Sequence, residues 1–437
     1  MFSALQCRLD CDAGYVSQRP PIISCVDGRY EPYRPSTFIC QPAAVLVITE
    51  KGNVEIFSDK PECQSKVVEK FSHFTGVGRT LSLLDDQILL VGGDPSATKF
   101  TYVSIQNPRR GLHAMKYSIE KFPLGGSPHN HASFVSGNRL LVVGGAHRTK
   151  GKFEDFTWNS LNLRKPDGTK FTSIASSPCS VKIGRDIYLV LGGEQKTRYG
   201  IVASDLVFKV NITSEEVESL PPMRTKRMKH ACEKLSTNSV LVTGGEKSPT
   251  GALTDDEIYY WRKPASQKDR LYDLYVPRLK RKKRNSIPIP EGKSLKRYQH
   301  KLVRIKENIF ALGGLTEQNK GSQIVMKYED GCIEEGAIEC WSKLENELKF
   351  NDVANLAVTS FPESAIDCGI DCQCGIEYSK KRISGGTESE VSNRKTFPCE
   401  PSEVQYTLFH QTIRFTASCL SMDCGDDYGQ EQRCFIC

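Results

Sequence analysis

The chain has 437 residues, 38% of them hydrophobic and 25% charged, with a formal net charge of +7 and 17 cysteines. That length supports two or three domains, with a core large enough to fold without disulfides, and the composition is that of a globular protein. It excludes a membrane-spanning helix, because no run of 18 or more apolar residues occurs.

The N-terminal residues, MFSALQCRLDCDAGY, contain neither a basic n-region nor an apolar h-region of useful length, so no signal peptide is visible. The cysteines nevertheless favour an oxidising compartment. Cys7, Cys11, Cys25 and Cys40 crowd the N-terminal end, eight more run from Cys368 to Cys437, and only five occupy the long middle. Cysteines crowded at both ends of a larger domain read as small disulfide-stapled modules, and we expect an extracellular or secreted protein. The odd cysteine count and the missing signal peptide lead to the expectation of a chain truncated at its N-terminus.

In chain order, the first unit is CRLDCDAGYVSQRPPIISCVDGRYEPYRPSTFIC, from Cys7 to Cys40. The C-x₂-G-Y of Cys11, Gly14 and Tyr15, then ISCVDGRY, then a closing cysteine after a proline-containing turn, resemble the second half of a sushi (complement control protein) module. Tyr30 stands where that family usually has Trp. The resemblance implies a Cys11–Cys40 disulfide, and it leaves Cys7 and Cys25 seeking partners upstream of Met1. We assign residues 1–42 to this partial module.

Five segments of the middle share one pattern, an apolar strand that ends in Gly-Gly: LSLLDDQILLVGGD, ASFVSGNRLLVVGGA, CSVKIGRDIYLVLGGE, CEKLSTNSVLVTGGE and LVRIKENIFALGGL. The pairs are Gly92-Gly93, Gly144-Gly145, Gly192-Gly193, Gly244-Gly245 and Gly313-Gly314, evenly spaced except for a longer last interval. In each unit an alternating strand reaches a turn such as SGNR, GRD or KEN. A nearly continuous apolar strand follows, as a strand buried on both faces requires. The glycines mark a bend or close backbone approach, and an aromatic-bearing strand comes next, such as DLVFKV or EIYYW. This resembles the kelch repeat, in which each unit of about 50 residues builds one four-stranded propeller blade. A sixth, degenerate unit is AAVLVITEKGNVEIFS, and NDVANLAVTSFP from the far end is expected to complete it, closing the ring and removing exposed edges. The expectation is a six-bladed propeller over residues 43–362.

The His129-Asn130-His131 triplet invites a metal reading. His131, Cys179 and His300, however, share one offset from Gly144, Gly192 and Gly313, and His230 stands a single position further from Gly244. A residue that recurs at one repeat position is a blade element, and metal sites need converging ligands, so no metal or cofactor is expected. The C-x-C within CGIDCQC does not supply two C-x₂-C knuckles for zinc either.

The long last interval holds a basic insertion, about residues 263–297, in which every residue from Arg278 to Arg284 except Leu279 is basic. It reads as a solvated loop, as a proprotein-convertase site at Arg281-Lys282-Lys283-Arg284, or as a patch for a polyanion such as heparan sulfate. A nucleic-acid patch fits the letters but not the cysteines. Asn211-Ile212-Thr213 is the one N-x-[ST] sequon; it follows a strand and precedes an acidic turn, so it is expected to be exposed and open to glycosylation.

The final segment, 363–437, is cysteine-rich and is expected to be poorly structured. Within it, CQCGIEYSKKRISGGTESEV (372–391) resembles the zymogen activation junction of trypsin-like serine proteases, with Ser384 where Val is usual. The resemblance implies cleavage between Arg382 and Ile383, freeing the Ile α-amine, with Cys374 tethering the two parts. Acyl transfer needs a serine, a histidine base, an orienting carboxylate and oxyanion donors. The short segment after Arg382 contains one histidine, His410, and no G-D-S-G-G, so no catalytic residue is expected in this chain. The sequence therefore points to an all-β, secreted, non-catalytic binding protein whose propeller loops meet a protein or glycan. The rival reading is the N-terminal regulatory region of a serine protease zymogen. A disulfide between Cys332 and Cys340 is expected on either reading.

Overall fold

The architecture was taken from a computed structural model. It describes most of residues 5–363 and the strands of 373–436; outside it lie, among others, 32–38, 61–65, 93–99, 107–115, 123–129, 249–254, 263–285 and 330–339. The chain divides into two compact units, Met1–Asp367 and Cys368–Cys437.

The first unit is all-β and propeller-like. Sheet II contains Thr80–Leu84, Gln87–Val91, Phe100–Gln106 and Lys116–Phe122. Sheet III contains His131–Ser136, Arg139–Gly144, Thr149–Glu154 and Thr157–Ser160. Sheet IV is built from Cys179–Gly184, Ile187–Leu191, Val207–Asn211 and Glu216–Leu220. Sheet V has Ala231–Lys234, Ser239–Thr243, Glu257–Tyr260 and Ser286–Pro288. Sheet VI has Lys301–Ile305, Asn308–Leu312, Ile324–Tyr328 and Trp341–Glu347. Each is an antiparallel meander whose strands pair in the order given.

Sheet I joins the two ends of the unit. Cys40–Ile48, Lys51–Phe57 and Lys66–Thr75 pair in sequence, and two further strands lie along the free side of Cys40–Ile48. Tyr15–Ser17 pairs with its first residues, and Ala357–Pro362 pairs with Ala43–Ile48. Polar contacts fasten this junction: Asn53 Nδ2 donates to Asp352 at 3.0 Å, and the buried Ser58 hydroxyl donates to Glu363 at 3.1 Å. The N-terminal strands Leu5–Arg8, Ile22–Val26 and Arg29–Glu31 form a small sheet of their own.

The near-continuous apolar strands have a simple reason. Successive side chains of a strand point to opposite faces. In Ile187–Leu191, Tyr188 and Val190 enter the cluster shared with sheet III, while Leu189 and Leu191 enter the one shared with sheet V. Phe310 and Leu312 likewise pack with Val45, Val47 and Phe57 of sheet I, while Ile309 and Ala311 pack against sheet V. Each such strand serves two interfaces, so both of its faces must be apolar. Full burial of each large aliphatic contributes about 1.5–3 kcal/mol. Aromatic contacts span two of these interfaces, Phe134 with Tyr188 at 4.9 Å and Phe57 edge-on to Phe310 at 5.3 Å.

The first strands of sheets II to VI touch in succession, and Ala357–Pro362 touches those of sheets VI and II. They surround a channel. The second unit has a four-stranded sheet of Thr387–Pro398, Gln373–Ser384, Glu431–Ile436 and Leu420–Gly425, with a separate hairpin of Val404–Leu408 and Gln411–Phe415.

Candidate functional site

At the start of the channel strands the backbone is left-handed sheet after sheet: Gly78 (φ 65°), Asn130 (54°), Ser177 (47°), Lys229 (55°) and Gln299 (59°). Amides and carbonyls of these residues join the sheets directly. Asn130 N donates to Gly78 O at 2.8 Å, Ser177 N to Asn130 O at 2.7 Å, and Gln299 N to Lys229 O at 2.7 Å. Non-glycine residues hold such φ values only where the surroundings over-determine them, and here a belt of hydrogen bonds does so.

The Gly pairs belong to the same construction. Gly244 has φ 55°, and a Cβ there would lie 1.9 Å from Arg297 O and 3.0 Å from the His300 ring. Gly245 has φ 89°, and its Cβ would strike Met228 O and the His230 Cβ, each at 2.7 Å. The ring of His230 in turn approaches Gly192 of the preceding sheet. The recurrent histidine thus fills the space that glycine leaves, between its own sheet and the one before. His131 Nε2 bonds Thr80 Oγ1 at 2.7 Å and His300 Nε2 bonds Thr243 Oγ1 at 2.6 Å. Burial pushes His300 down to about 3 and His230 well below the usual histidine range, so both rings are neutral at pH 7.

A buried arginine precedes each of these two histidines by almost one helical-turn's worth of chain, Arg227 before His230 and Arg297 before His300. The Arg227 guanidinium donates to Gly244 O (2.9 Å), Asp255 O (2.9 Å) and Glu257 Oε1 (2.6 Å), with both ion-pair partners 1% exposed or less. Arg297 donates to Ile324 O at 2.7 Å. Next to this clamp, Asp256 accepts from Gly244 N, Leu295 N and Trp341 Nε1 at 2.7–3.0 Å, while burial lifts its carboxyl to about 6.

Two cavities open on the channel. The larger, about 450 Å³, runs along the later residues of the channel strands, among Lys182, Arg185, Glu233, Lys234 and Arg304. Cys11 to Gly14 form part of its wall, fixed by the Cys11–Cys40 disulfide and by Gly14 O accepting from Lys306 N (3.0 Å) and Ala43 N (2.9 Å). Burial raises Glu233 to about 7, opposed by the Lys234 amide and by the charges of Arg304 and Lys234. The smaller cavity, about 90 Å³, lies at the belt and is lined by Arg79, His131, Lys229, His230, His300 and Lys301 among others. Beside it, between the second and third strands of sheet IV, rises an additional hairpin, Glu194–Thr197 with Gly200–Ala203. Its base is tied to the cavity wall, since Ser176 and Glu194 exchange backbone hydrogen bonds and Ser177 Oγ donates to Glu194 Oε1 at 3.1 Å. Its tip carries Tyr199, 82% exposed, beneath the Arg198 guanidinium at 4.6 Å, together with exposed Ile201 and Val202.

Of the residues singled out in the sequence, the Gly pairs lie at the belt end of the channel, Gly93 being outside the described residues. Asn211 ends a strand of sheet IV, half-buried, its Oδ1 accepting from Thr213 N at 3.0 Å and Ser214 N at 3.3 Å. Arg281, Lys282, Lys283, Arg284 and Cys332 lie outside the described residues; Cys340 is buried and disulfide-bonded. Arg382 and Ile383 fall in Gln373–Ser384 of the second unit, opposite Ser389 and Glu388. Three features were not anticipated: the hairpin, the cavity arginine Arg79, and a Cys179–Cys232 disulfide that joins sheets IV and V. Arg79 was readable, because it stands at the same offset from Gly92 as His131 from Gly144 and His300 from Gly313.

Among the described residues no three His, Cys, Asp or Glu side chains gather as metal ligands, and no helix is long and apolar enough to cross a membrane. The chain matches no protein-family model and no curated protein.

Proposed function

We propose that this chain is a non-catalytic binding module of a secreted mosaic protein. On this reading it is a closed six-bladed propeller, similar to kelch propellers, with a sushi remnant at its N-terminus. The pairing of Ala357–Pro362 with Ala43–Ile48 and the contacts of that strand with sheets VI and II support closure. The Cys11–Cys40 and Cys179–Cys232 disulfides favour an oxidising compartment.

The single observation that carries the binding reading is the hairpin tip. Tyr199, Ile201 and Val202 are exposed on a two-stranded support at the belt end of the channel. An exposed aromatic on a fixed element, with a cation stacked on it, is the type of anchor that dominates protein and glycan interfaces. The test is to screen the full chain against extracellular ectodomains and glycans and to repeat each hit with Tyr199→Ser. A hot-spot anchor costs about 2 kcal/mol or more on truncation, so affinity falls at least about 30-fold. Hits that bind the variant as tightly as the parent overturn the assignment of the partner to this face.

A second reading rests on the Lys-Arg-Ile-Ser-Gly-Gly motif at Arg382-Ile383: the chain is the regulatory region of a trypsin-like protease zymogen. Trypsin-type cleavage of the secreted protein at that one bond, read by N-terminal sequencing for Ile383, supports it. Persistence of the intact bond while neighbouring basic sites are cut counts against it.

A further inference from the structure

The smaller cavity has a composition that the binding reading does not use. None of its lining residues is acidic, and three of them, Arg79, Lys229 and Lys301, are basic, burial pulling Arg79 down to about 10 and Lys301 below the usual lysine value. Its volume of about 90 Å³ leaves ample room for a tetrahedral anion. His230 and His300 of the wall are neutral, so the basic groups that face the cavity are the arginine and the two lysines.

Arg79 is the decisive residue. It is 5% exposed, donates through Nη2 to Thr49 O at 2.6 Å, and has a buried Nη1 with no hydrogen-bond partner. A buried guanidinium with an unused donor is costly unless something accepts from it. Glu50 is the nearby acid; its charge favours the Arg79 cation, and its carboxylate accepts from Asn355 Nδ2 at 3.0 Å. Lys301 makes no ion pair among the described residues, and the acid bound to Lys229 is Glu246, at 3.1 Å. The Thr80 hydroxyl at the same wall is engaged by His131 Nε2 and Ser133 Oγ. A planar guanidinium and two lysine amino groups around a small pocket form the kind of donor set that recognises phosphate or sulfate oxygens.

We propose that this cavity is a binding site for a single tetrahedral oxyanion, phosphate or sulfate, free or as the terminal group of an ester. The site lies on the same face as the hairpin but does not depend on the hairpin having a partner.

Calorimetric titration of the full chain at pH 7 tests this, with inorganic phosphate, inorganic sulfate and a sulfated disaccharide at constant ionic strength in chloride. The expected result is saturable one-to-one binding. Charge-assisted hydrogen bonds of this kind correspond to about a tenfold or greater loss when one donor is removed, so Lys301→Gln and Arg79→Gln each weaken binding by at least about tenfold. Lys196→Gln, on the exposed hairpin, leaves it unchanged. Equal affinity for ion and disaccharide assigns the free ion, and tighter binding of the disaccharide assigns an ester; both support the site. No saturable binding by the folded parent chain, or parental affinity in Lys301→Gln, overturns it. Should Arg79→Gln fail to fold, Lys301→Gln and Lys229→Gln decide the matter. Loss of anion binding on Tyr199→Ser also counts against the cavity as the site, whereas loss of a macromolecular partner alone leaves it standing.

Discussion

Arg227, ahead of sheet V, and Arg79, ahead of sheet II, are both buried guanidiniums near the start of a channel strand, and their surroundings differ in kind. Arg227 meets two carbonyls and the Glu257 carboxylate, all inside the protein. Arg79 meets one carbonyl and leaves an unpartnered nitrogen beside a cavity without acids. A repeated frame therefore uses the same functional group in two ways. Where the protein supplies the counter-charge, arginine locks sheet to loop. Where the nearby acid, Glu50, makes no hydrogen bond to the guanidinium, a donor is left for something that comes from outside.

Breaking the two arginines separately is the sharpest test of that difference. Arg227→Met leaves the Glu257 carboxylate buried without its cation, and removal of one member of a buried pair costs about 3–5 kcal/mol. Arg79→Met strands no carboxylate at hydrogen-bond distance, so its cost is about 1 kcal/mol, the worth of one hydrogen bond. Urea titrations of both variants measure this. Equal losses erase the distinction and make Arg79 a structural clamp like Arg227.

The next largest effect concerns the seam between sheets IV and V. Cys179 and Cys232 close a loop with a sequence separation of 53, and a link of that span stabilises by about 2–4 kcal/mol through its effect on the unfolded chain. The Cys179→Ser, Cys232→Ser double variant is expected to lose that much. Reduction of the parent should lower its thermal midpoint toward that of the variant.

Gly244 and Gly168 separate the belt from the surface. Both have positive φ, but a Cβ at Gly168 meets nothing within 4 Å, whereas one at Gly244 meets Arg297 O at 1.9 Å. Gly168→Ala is expected to cost about 1–2 kcal/mol for the left-handed conformation alone. Gly244→Ala adds displacement of a backbone carbonyl and of the His300 ring, and exceeds it. Similar losses at both sites would show that the belt tolerates movement.

Most of this frame was legible in the sequence because it is periodic. The Gly pairs mark the ends of strands whose alternate residues serve two interfaces, and the histidine register follows from the same count. The hairpin was not legible: EQKTRYGIVAS fills the interval between two strands of one sheet with the letters of an ordinary loop. The Cys179–Cys232 link was half-legible, since the two cysteines stand at nearly the same offset from Gly192 and Gly244 and so on neighbouring channel strands. The cavity was hidden for a different reason. Its charge comes from residues in separate repeats, and an arginine at a position elsewhere held by histidine looks like surface variation until the strands are brought together.

The last prediction uses two titrating groups, one lining each cavity. His300 has a folded pKa of about 3 against an ordinary value of 6.5. Below pH 6.5 the unfolded chain therefore binds a proton that the folded ring refuses, and stability is lost as pH falls. Glu233 is the reverse, with a folded value of about 7 above an ordinary 4.5, so its contribution is lost as pH rises from about 4.5 to about 7. Between pH 4.5 and 6.5 the two oppose each other in the parent chain. Single variants expose them: relative to the parent, His300→Gln gains stability as pH falls, by up to about 1.4 kcal/mol per unit, and Glu233→Gln gains it as pH rises. Thermal midpoints of the three proteins at half-unit intervals measure both slopes. Slopes of the same sign in the two variants would mean that one of these groups does not hold the protonation state that its burial dictates.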